Sequence, residues 1–441
     1  MSLLTRRMIF AQAWPIILGQ ALVPMVGVVD ATVIGRTGDA AALAGVALGV
    51  TTVNLIFWAF GFLRMGVTGL TAQALGVGGG EELRALLLRA LLLGLALGVA
   101  LVMLSPVIVP TALSLMHVPA PAADAAYGFT AARFFGAPAA LGFYVLNGWL
   151  LGLGRTRLAL ACQLVFNGVN IALDVLLVGG LGLGARGAGI GTSLAEWIAL
   201  AIGLWAARRV LGPGWWRIDR GTIFAPGAFR RLLSVNADIM IRTVALLLLF
   251  TWFARAGARL GAVPLAANHV LMLFVSVSAF VLDGFAFTAE ARVGAAIGAG
   301  SRPAMLRAAR LTGEFSLAGA LPFSAGIAIA APWLIPLVTR DPAVQAQAIA
   351  LVPYCALVPL LGMPSWLLDG IFIGATEGRT LRNAAIVALA LYLATDMMLR
   401  GQGEAGVWIA LLASYLFRAA ALGVALPGLV RRVGVSSRGY A

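Results

Sequence analysis

Apolar stretches of about twenty residues recur from one end of this chain to the other. "VMLSPVIVPTALSL", "VALLLLFTWFA" and "AIVALALYLA" are typical pieces of them. A segment of that length and polarity crosses a bilayer as a helix, because only a helix or a closed barrel satisfies its own backbone N–H and C=O groups without water. Hydrophobic residues make up 61% of the chain and charged residues 11%, whereas a soluble domain carries about 25% charged residues. No soluble domain can be cut out between the apolar segments. The sequence therefore predicts an all-α polytopic membrane protein.

The amino-terminal stretch "MSLLTRRMIFAQAW" has two arginines but no small-residue cleavage site. Its apolar segment also outruns a signal peptide, so it is expected to stay as the first membrane helix. Cys162 and Cys355 fall inside apolar segments of different halves and are expected to pack, not to bridge.

All 31 basic residues are arginine, and the formal charge is +14. In a soluble protein that excess would suggest nucleic acid; here its placement explains it better. Arg6, Arg7, Arg84, Arg89, Arg155, Arg157, Arg208, Arg209, Arg217, Arg220, Arg230 and Arg231 sit at alternate segment ends. So do Arg292, Arg302, Arg307, Arg310, Arg379, Arg382, Arg431, Arg432 and Arg438, which makes 21. The opposite ends carry six: Arg36, Arg186, Arg255, Arg259, Arg340 and Arg400. The positive-inside rule then places both termini in the cytoplasm. No nucleic-acid partner is needed.

With both termini on one side the number of spans is even. Twelve segments are expected, at 10–35, 41–76, 84–110, 122–153, 156–180, 187–211, 230–256, 262–298, 303–338, 343–375, 379–400 and 404–430. Pro15, Pro24, Pro138, Pro322 and Pro353 predict bends, since neighbouring helices can satisfy the freed backbone groups. One stretch, "GPGWWRIDRGTIFAPGAF", is polar enough to be a linker. It divides the chain into an N-lobe at 1–211, a cytoplasmic linker at 212–229 and a C-lobe at 230–441. Short motifs recur across the divide: "TAQALG" (71–76) with "TAEARVG" (288–294), "GRTR" (154–157) with "GRTLR" (378–382), and more weakly "GAGIG" (187–191) with "EAGVW" (404–408). Six-span halves in one orientation are parallel repeats, a plan that sets a central site between two lobes.

Ionisable groups inside such spans face a water-filled cavity or the bundle interior and mark function by default. Asp30 interrupts "VPMVGVVDATVIGR", fifteen residues after Pro15, with no arginine until Arg36. Either its carboxylate is tied to nearby backbone or hydroxyl groups, or it is a titrating group, since burial disfavours the charged form. In "FNGVNIALDVLL", Asn167, Asn170 and Asp174 are spaced by three and then four residues and share one helical face. Such a stripe can share a proton, hold a cation or meet a cationic ligand; the bland alternative is hydrogen-bond glue between helices. Asn147, Thr192 and Ser193 could complete the same pocket.

The second half offers Asp283 and Glu290, seven apart on one face, with Asp369 in span ten and Asp396 near the far end of span eleven. Asp283 and Asp369 lie nearer mid-span than Glu290. Arg64, Arg133, Arg242 and Arg418 also lie within spans. Asp238 and Arg242, four apart, are most simply an intrahelical pair, and Arg64 is the best candidate partner for a buried acid of the other lobe, although spacing does not pair it with a particular one. His117 and His269 sit near span ends, where snorkelling or loop packing accounts for them. No phosphate-binding loop, HExxH, CxxC or nucleophile elbow is present. An enzyme is not expected, nor any cofactor; the energy for transport would come from an ion gradient.

The chain resembles the multidrug and toxic compound extrusion (MATE) family, and within it the DinF-like branch. The resemblance rests on "PMVGVVDATVIGR", "FLRMGVTGLTAQALG", "GLGRTR", "NGVNIALDVLLV", "DIMIRT", "LDGFAFTAEARVG" and "LLDGIFIGATEGRTLRN". These run in order through both halves. It implies twelve helices in two six-helix lobes forming a V, and export of amphipathic, often cationic, small organic compounds in exchange for protons or sodium. The ion-coupling residues of the family match Asp30, Asn170 and Asp174, which could also hold Na+, and the proline whose bending accompanies protonation matches Pro15. Arg64, Asp283, Glu290 and Asp369 match polar cavity positions of the branch. A tyrosine found in the N-lobe site of some relatives is not matched to a particular residue here. The expected state is a monomer among membrane lipids. A lipid-linked precursor flippase, an intramembrane enzyme and a channel are the rivals: the first would carry extra spans, the second a nucleophile and base, the third no need of duplicated lobes.

Overall fold

The computed structural model describes residues 4–35, 40–116 and 119–433, and not the side chains at 23–31 and 40–42. Asp30 and Pro24 thus lie in a described helix with their side chains outside the described residues, as do Arg36, His117 and Arg438 altogether. The described residues are 91% helical with no strands. In chain order the helices are α1 (Arg6–Gly35), α2 (Ala40–Ala59), α3 (Phe62–Val77), α4 (Gly80–Leu115), α5 (Ala120–Phe134) and α6 (Ala137–Gly152). Then come α7 (Thr156–Asp174), continued by a π-helical turn (Val175–Gly180), α8 (Gly184–Leu211), the short α9 (Arg220–Ile223) and α10 (Pro226–Leu260). The chain ends with α11 (Ala262–Gly298), α12 (Arg302–Val338), α13 (Pro342–Gly374), α14 (Gly378–Leu399) and α15 (Gly403–Arg432).

Nine helical stretches among the described residues are long and apolar enough to cross a membrane, ten when α5 and α6 count as one bent span. One of the nine, Gly378–Arg432, is itself divided by a 3-10 turn at Arg400–Gln402. The expected segments overlie helices within a few residues at each end, while the spans found among the described residues number nine or ten and not the twelve expected. The α5–α6 break bends by 53° with Pro138 at the start of α6, a position where proline's missing N–H costs nothing. Pro322 and Pro353 stay inside continuous helices. Ser301 and Asp341 cap α12 and α13, the latter accepting from the Ala343 N–H at 2.9 Å.

Two compact units are present. One comprises Leu18–Thr71 and Gly79–Leu233; the other comprises Met1–Ile17, Ala72–Gly78 and Ser234–Ala441. We call them the first and second units. The division cuts α1 between Ile17 and Leu18, so Pro15 and Asp30 belong to different units. The expected linker is tied down within the first unit. Buried Arg89 on α4 donates to the Ile223 carbonyl at 2.8 Å and the Thr222 carbonyl at 3.0 Å, while Glu82 neutralises it at 2.7 Å. In the second unit the core centres on Trp408, edge-on to Phe253 with ring centroids 5.5 Å apart, its Nε1 donating to Asn268 at 2.7 Å.

The internal repeat has a fixed register, and backbone packing defines it. In the α6–α7 turn Gly154 N–H donates to Leu151 and Arg155 N–H to Leu150; in the α13–α14 turn Thr376 donates to Ile373 and Glu377 to Phe372. Gly148 and Gly152 lie against the carbonyls of Arg64 and Thr68, and Gly370 and Gly374 against those of Ala286 and Glu290. A Cβ at any of the four would come within 2.4–2.6 Å of that oxygen. Every pair is offset by 222 residues (154 to 376, 148 to 370, 68 to 290). The short sequence motifs slip against this register: Gly154 matches Thr376 and not Gly378, and Glu290 matches Thr68 and not Gln73. Turn motifs align by composition, whereas helix-packing glycines tolerate no shift.

Candidate functional site

The polar stripe of α7 meets α8 in the first unit. Asn170 and Asp174 are wholly buried. The Asn170 amide nitrogen donates to Asp174 Oδ2 at 3.1 Å and to Thr192 Oγ1 at 3.1 Å, and Thr192 in turn donates to the Ala188 carbonyl. Asn167, one turn back, accepts from Gln163 at 3.0 Å. Helical spacing thus brings Asn170, Asp174 and Thr192 into one hydrogen-bonded group. The Asn170 carbonyl oxygen is buried and has no protein partner among the described residues. An unmet acceptor in a dry helix bundle is costly and invites a donor or a cation. Two local devices support the group: a Cβ at Gly191 would lie 2.6 Å from Asp174 Oδ1, so glycine there leaves the carboxylate its present place. The π-helical turn also begins immediately after Asp174, a feature common at functional sites.

A second buried group surrounds the α5–α6 break. Glu196 on α8 holds Arg133 at 2.7 Å, and the Arg133 guanidinium lies 5.5 Å above the Phe57 ring centroid. Ser193 Oγ donates to the Ala132 carbonyl at 2.7 Å, and Trp197 Nε1 to the Phe135 carbonyl at 3.2 Å. One face of α8 thereby satisfies carbonyls that the break frees. Tyr144 lies within electrostatic reach of Glu196, Arg133 and Arg64; Asn147, one turn further along α6, is half-buried. Sequence reasoning missed Glu196. The signal was present: Thr192, Ser193 and Glu196 repeat at helical spacing and extend the same polar face.

The centre of the second unit is built around Asp369 on α13. Arg242 of α10 pairs with it directly, and Arg418 of α15 lies 3.7 Å away while donating to Ser365 Oγ at 2.8 Å. All three charged residues are buried. Asp283 on α11, half-buried, is within electrostatic reach of Arg418. Glu290 is buried near the end of α11. The intrahelical pair expected of Asp238 and Arg242 gives way to partners on other helices, Arg382 for Asp238 at 2.7 Å and Asp369 for Arg242. Tertiary neighbours in a dry interior outbid a pair worth only about 0.2–0.5 kcal/mol on a helix surface.

The fold and these sites define a helical membrane transporter. The MatE family model matches residues 15–176 and again 239–398, and the chain belongs to that family, the MATE transporters. It is 37% identical over 420 residues to DNA damage-inducible protein F of Escherichia coli K12, covering 95% of this chain and 91% of that one. To the probable multidrug resistance protein NorM of Acinetobacter baylyi it is 26% identical, covering 92% of each. Its fold matches an outward-facing multidrug resistance MATE transporter of the MOP superfamily with a TM-score of 0.87 at 19% identity, covering 98% of this chain and 96% of that one.

Proposed function

We propose that this protein is a proton-coupled antiporter that exports amphipathic, often cationic, organic compounds across the bacterial inner membrane by alternating access. It acts as a monomer of twelve spans with both termini in the cytoplasm. The observation that carries the coupling site is the Asn170 amide: its donor side holds Asp174 and Thr192, and its acceptor oxygen is buried without a partner among the described residues. Asp30 shares the proton with this group. The repeat register supports that assignment, because Asp30 takes the sequence place that Trp252 holds in the other half (30 to 252), and Trp252 donates to Asp396, the counterpart of Asp174, at 2.9 Å.

Protonation of Asp30 removes the charge that holds a cationic solute and relaxes the helix around Pro15, favouring the inward-facing state. Coupling requires that proton and solute prefer different states by a few kcal/mol, since equal affinity shifts nothing. A potential of about 100 mV contributes about 2.3 kcal/mol per charge. Arg64, Asn147, Asn167 and Thr192 of the first unit are assigned solute contacts, and so, separately, are Asp283, Glu290 and Asp369 of the second. Sodium is the second reading, favoured by the unmet Asn170 oxygen beside a carboxylate and a hydroxyl, all hard donors.

Proteoliposomes with an imposed proton or sodium gradient test both readings. Wild-type efflux of an organic cation should follow the proton gradient, and Asp30→Asn should abolish it. Full gradient-driven efflux by Asp30→Asn would sink the coupling role; efflux driven by sodium alone would move the assignment to sodium.

A further inference from the structure

Three of the six arginines at the arginine-poor ends of the spans gather at one place in the second unit. Arg255 and Arg259 lie one turn apart on α10, their guanidinium carbons 5.6 and 5.7 Å from the Trp252 ring centroid. Asp396 on α14, almost wholly buried, accepts from Arg259 at 2.9 Å and from Trp252 Nε1 at 2.9 Å, and Arg400 lies 3.9 Å from the same oxygen. Two guanidinium groups thus lie within 4 Å of one carboxylate and a third is held against the same indole, so the cluster carries an excess of two positive charges. The other described acids at this end of the second unit are engaged elsewhere: Asp341 caps α13, and Glu404 accepts from Gln347. All three arginines are exposed.

Charge of this sign is disfavoured at the translocated end of a span, so its concentration needs a partner. The surroundings say which kind. The arginines sit at helix ends beside exposed apolar side chains, Leu248 on α10 and Met397 and Met398 on α14, the last 84% exposed. Arg400 opens the Arg400–Gln402 turn, where the space around Gly401 is clear. Planar guanidinium groups held against an aromatic face present their N–H forks to a phosphate, and an apolar track beside them suits acyl chains.

We infer that Arg255, Arg259 and Arg400 form a headgroup site for an anionic phospholipid of the outer leaflet, oriented by Trp252 and Asp396. The phosphodiester is held by the arginine forks and the acyl chains lie along α10 and α14. Asp396 does not touch the lipid; it fixes Arg259 and the indole.

The test is native mass spectrometry of the purified full-length protein, titrated with phosphatidylglycerol, phosphatidylethanolamine or sodium phosphate at matched ionic strength. Arg255→Gln with Arg400→Gln removes two exposed arginines while leaving the Arg259–Asp396 pair. Arg186→Gln with Arg340→Gln, both exposed and outside the cluster, is the charge-matched control. The wild type should prefer phosphatidylglycerol to phosphatidylethanolamine. The first double variant should lose about tenfold in apparent affinity, the scale of one charge-assisted contact; the control should keep it. Equal loss in both double variants, or equal binding of the two lipids by the wild type, would overturn the site. Displacement of phosphatidylglycerol by millimolar phosphate would reassign it to a soluble anion and overturn the lipid. Lipid-free unfolding temperatures equal to wild type would show that the variants are folded.

Discussion

Asp174 and Asp396 occupy matching places in the two halves of the repeat, and they keep opposite company. Both are buried near the end of a helix, α7 or α14, and each has a buried polar side chain one turn back, Asn170 or Tyr392. Asp174 accepts from a neutral amide that also binds a hydroxyl. Asp396 accepts from an arginine and an indole, with a second arginine at 3.9 Å. A carboxylate held by neutral donors can exchange a proton or a cation as conditions change. A carboxylate clamped between guanidinium groups and an indole acts as a strut. Duplication supplied two similar backbones, and the side chains gave them different work.

The largest expected effect tests that contrast directly. Asp174→Asn should reduce gradient-driven efflux to the level of empty liposomes while the protein remains folded. Asp396→Asn should leave coupled efflux in place and lower stability by about 1–3 kcal/mol, because it strands the partly exposed Arg259. Both are read from transport assays and thermal unfolding in detergent. Coupled efflux that survives Asp174→Asn and vanishes with Asp396→Asn would reverse the roles of the halves.

The next effect concerns the centre of the second unit. Asp369→Asn leaves Arg242 and Arg418 buried together without their counter-charge, and should cost about 3–5 kcal/mol in thermal or denaturant unfolding. Arg418→Met should cost less, since Arg242 still neutralises Asp369. A larger loss from Arg418→Met would mean that its bond to Ser365 matters more than the charge of Asp369.

Much of this was legible in the sequence because bilayer physics writes plainly. Segment ends and the α7 stripe follow from apolar length and helical spacing, each a local property. What was hidden depends on neighbours distant in sequence. Arg242 sits four residues from Asp238, yet its partner is Asp369, 127 residues away; no spacing rule reaches that far. Glu196 was legible but overlooked, since it lies at the end of a face recognised only as far as Ser193. The repeat register was misjudged by two to five residues, because "GRTR" and "TAQALG" are short while the glycines that fix it are scattered. Asp30 remains a sequence argument, because its side chain lies outside the described residues.

The register predicts paired behaviour of intermediate size. Gly148→Ala and Gly370→Ala each drive a methyl into a helix carbonyl, at Arg64 and Ala286, and each should destabilise by about 1–3 kcal/mol, the range for overpacking a tight core. Similar losses in the two, measured by thermal unfolding, would support the register; a cost in only one half would break it.

The smallest effect lies where the repeat departs from its own geometry. Gly154 has φ +70°, and its counterpart Thr376 has φ +57°. A β-branched residue in the left-handed region is a genuine outlier, costing roughly 1–2 kcal/mol relative to glycine. Gln73 accounts for its tolerance: the amide donates to the Gly374 carbonyl at 3.0 Å and to Thr376 Oγ1 at 3.1 Å. Thr376→Gly alone should therefore change stability by less than about 1 kcal/mol, because strain relief and a lost hydrogen bond nearly cancel. In a Gln73→Ala background the bond is already gone, and Thr376→Gly should stabilise by about 1 kcal/mol. A double-mutant cycle in thermal unfolding measures the difference, and a coupling energy of zero would show that Gln73 does not hold the strained turn.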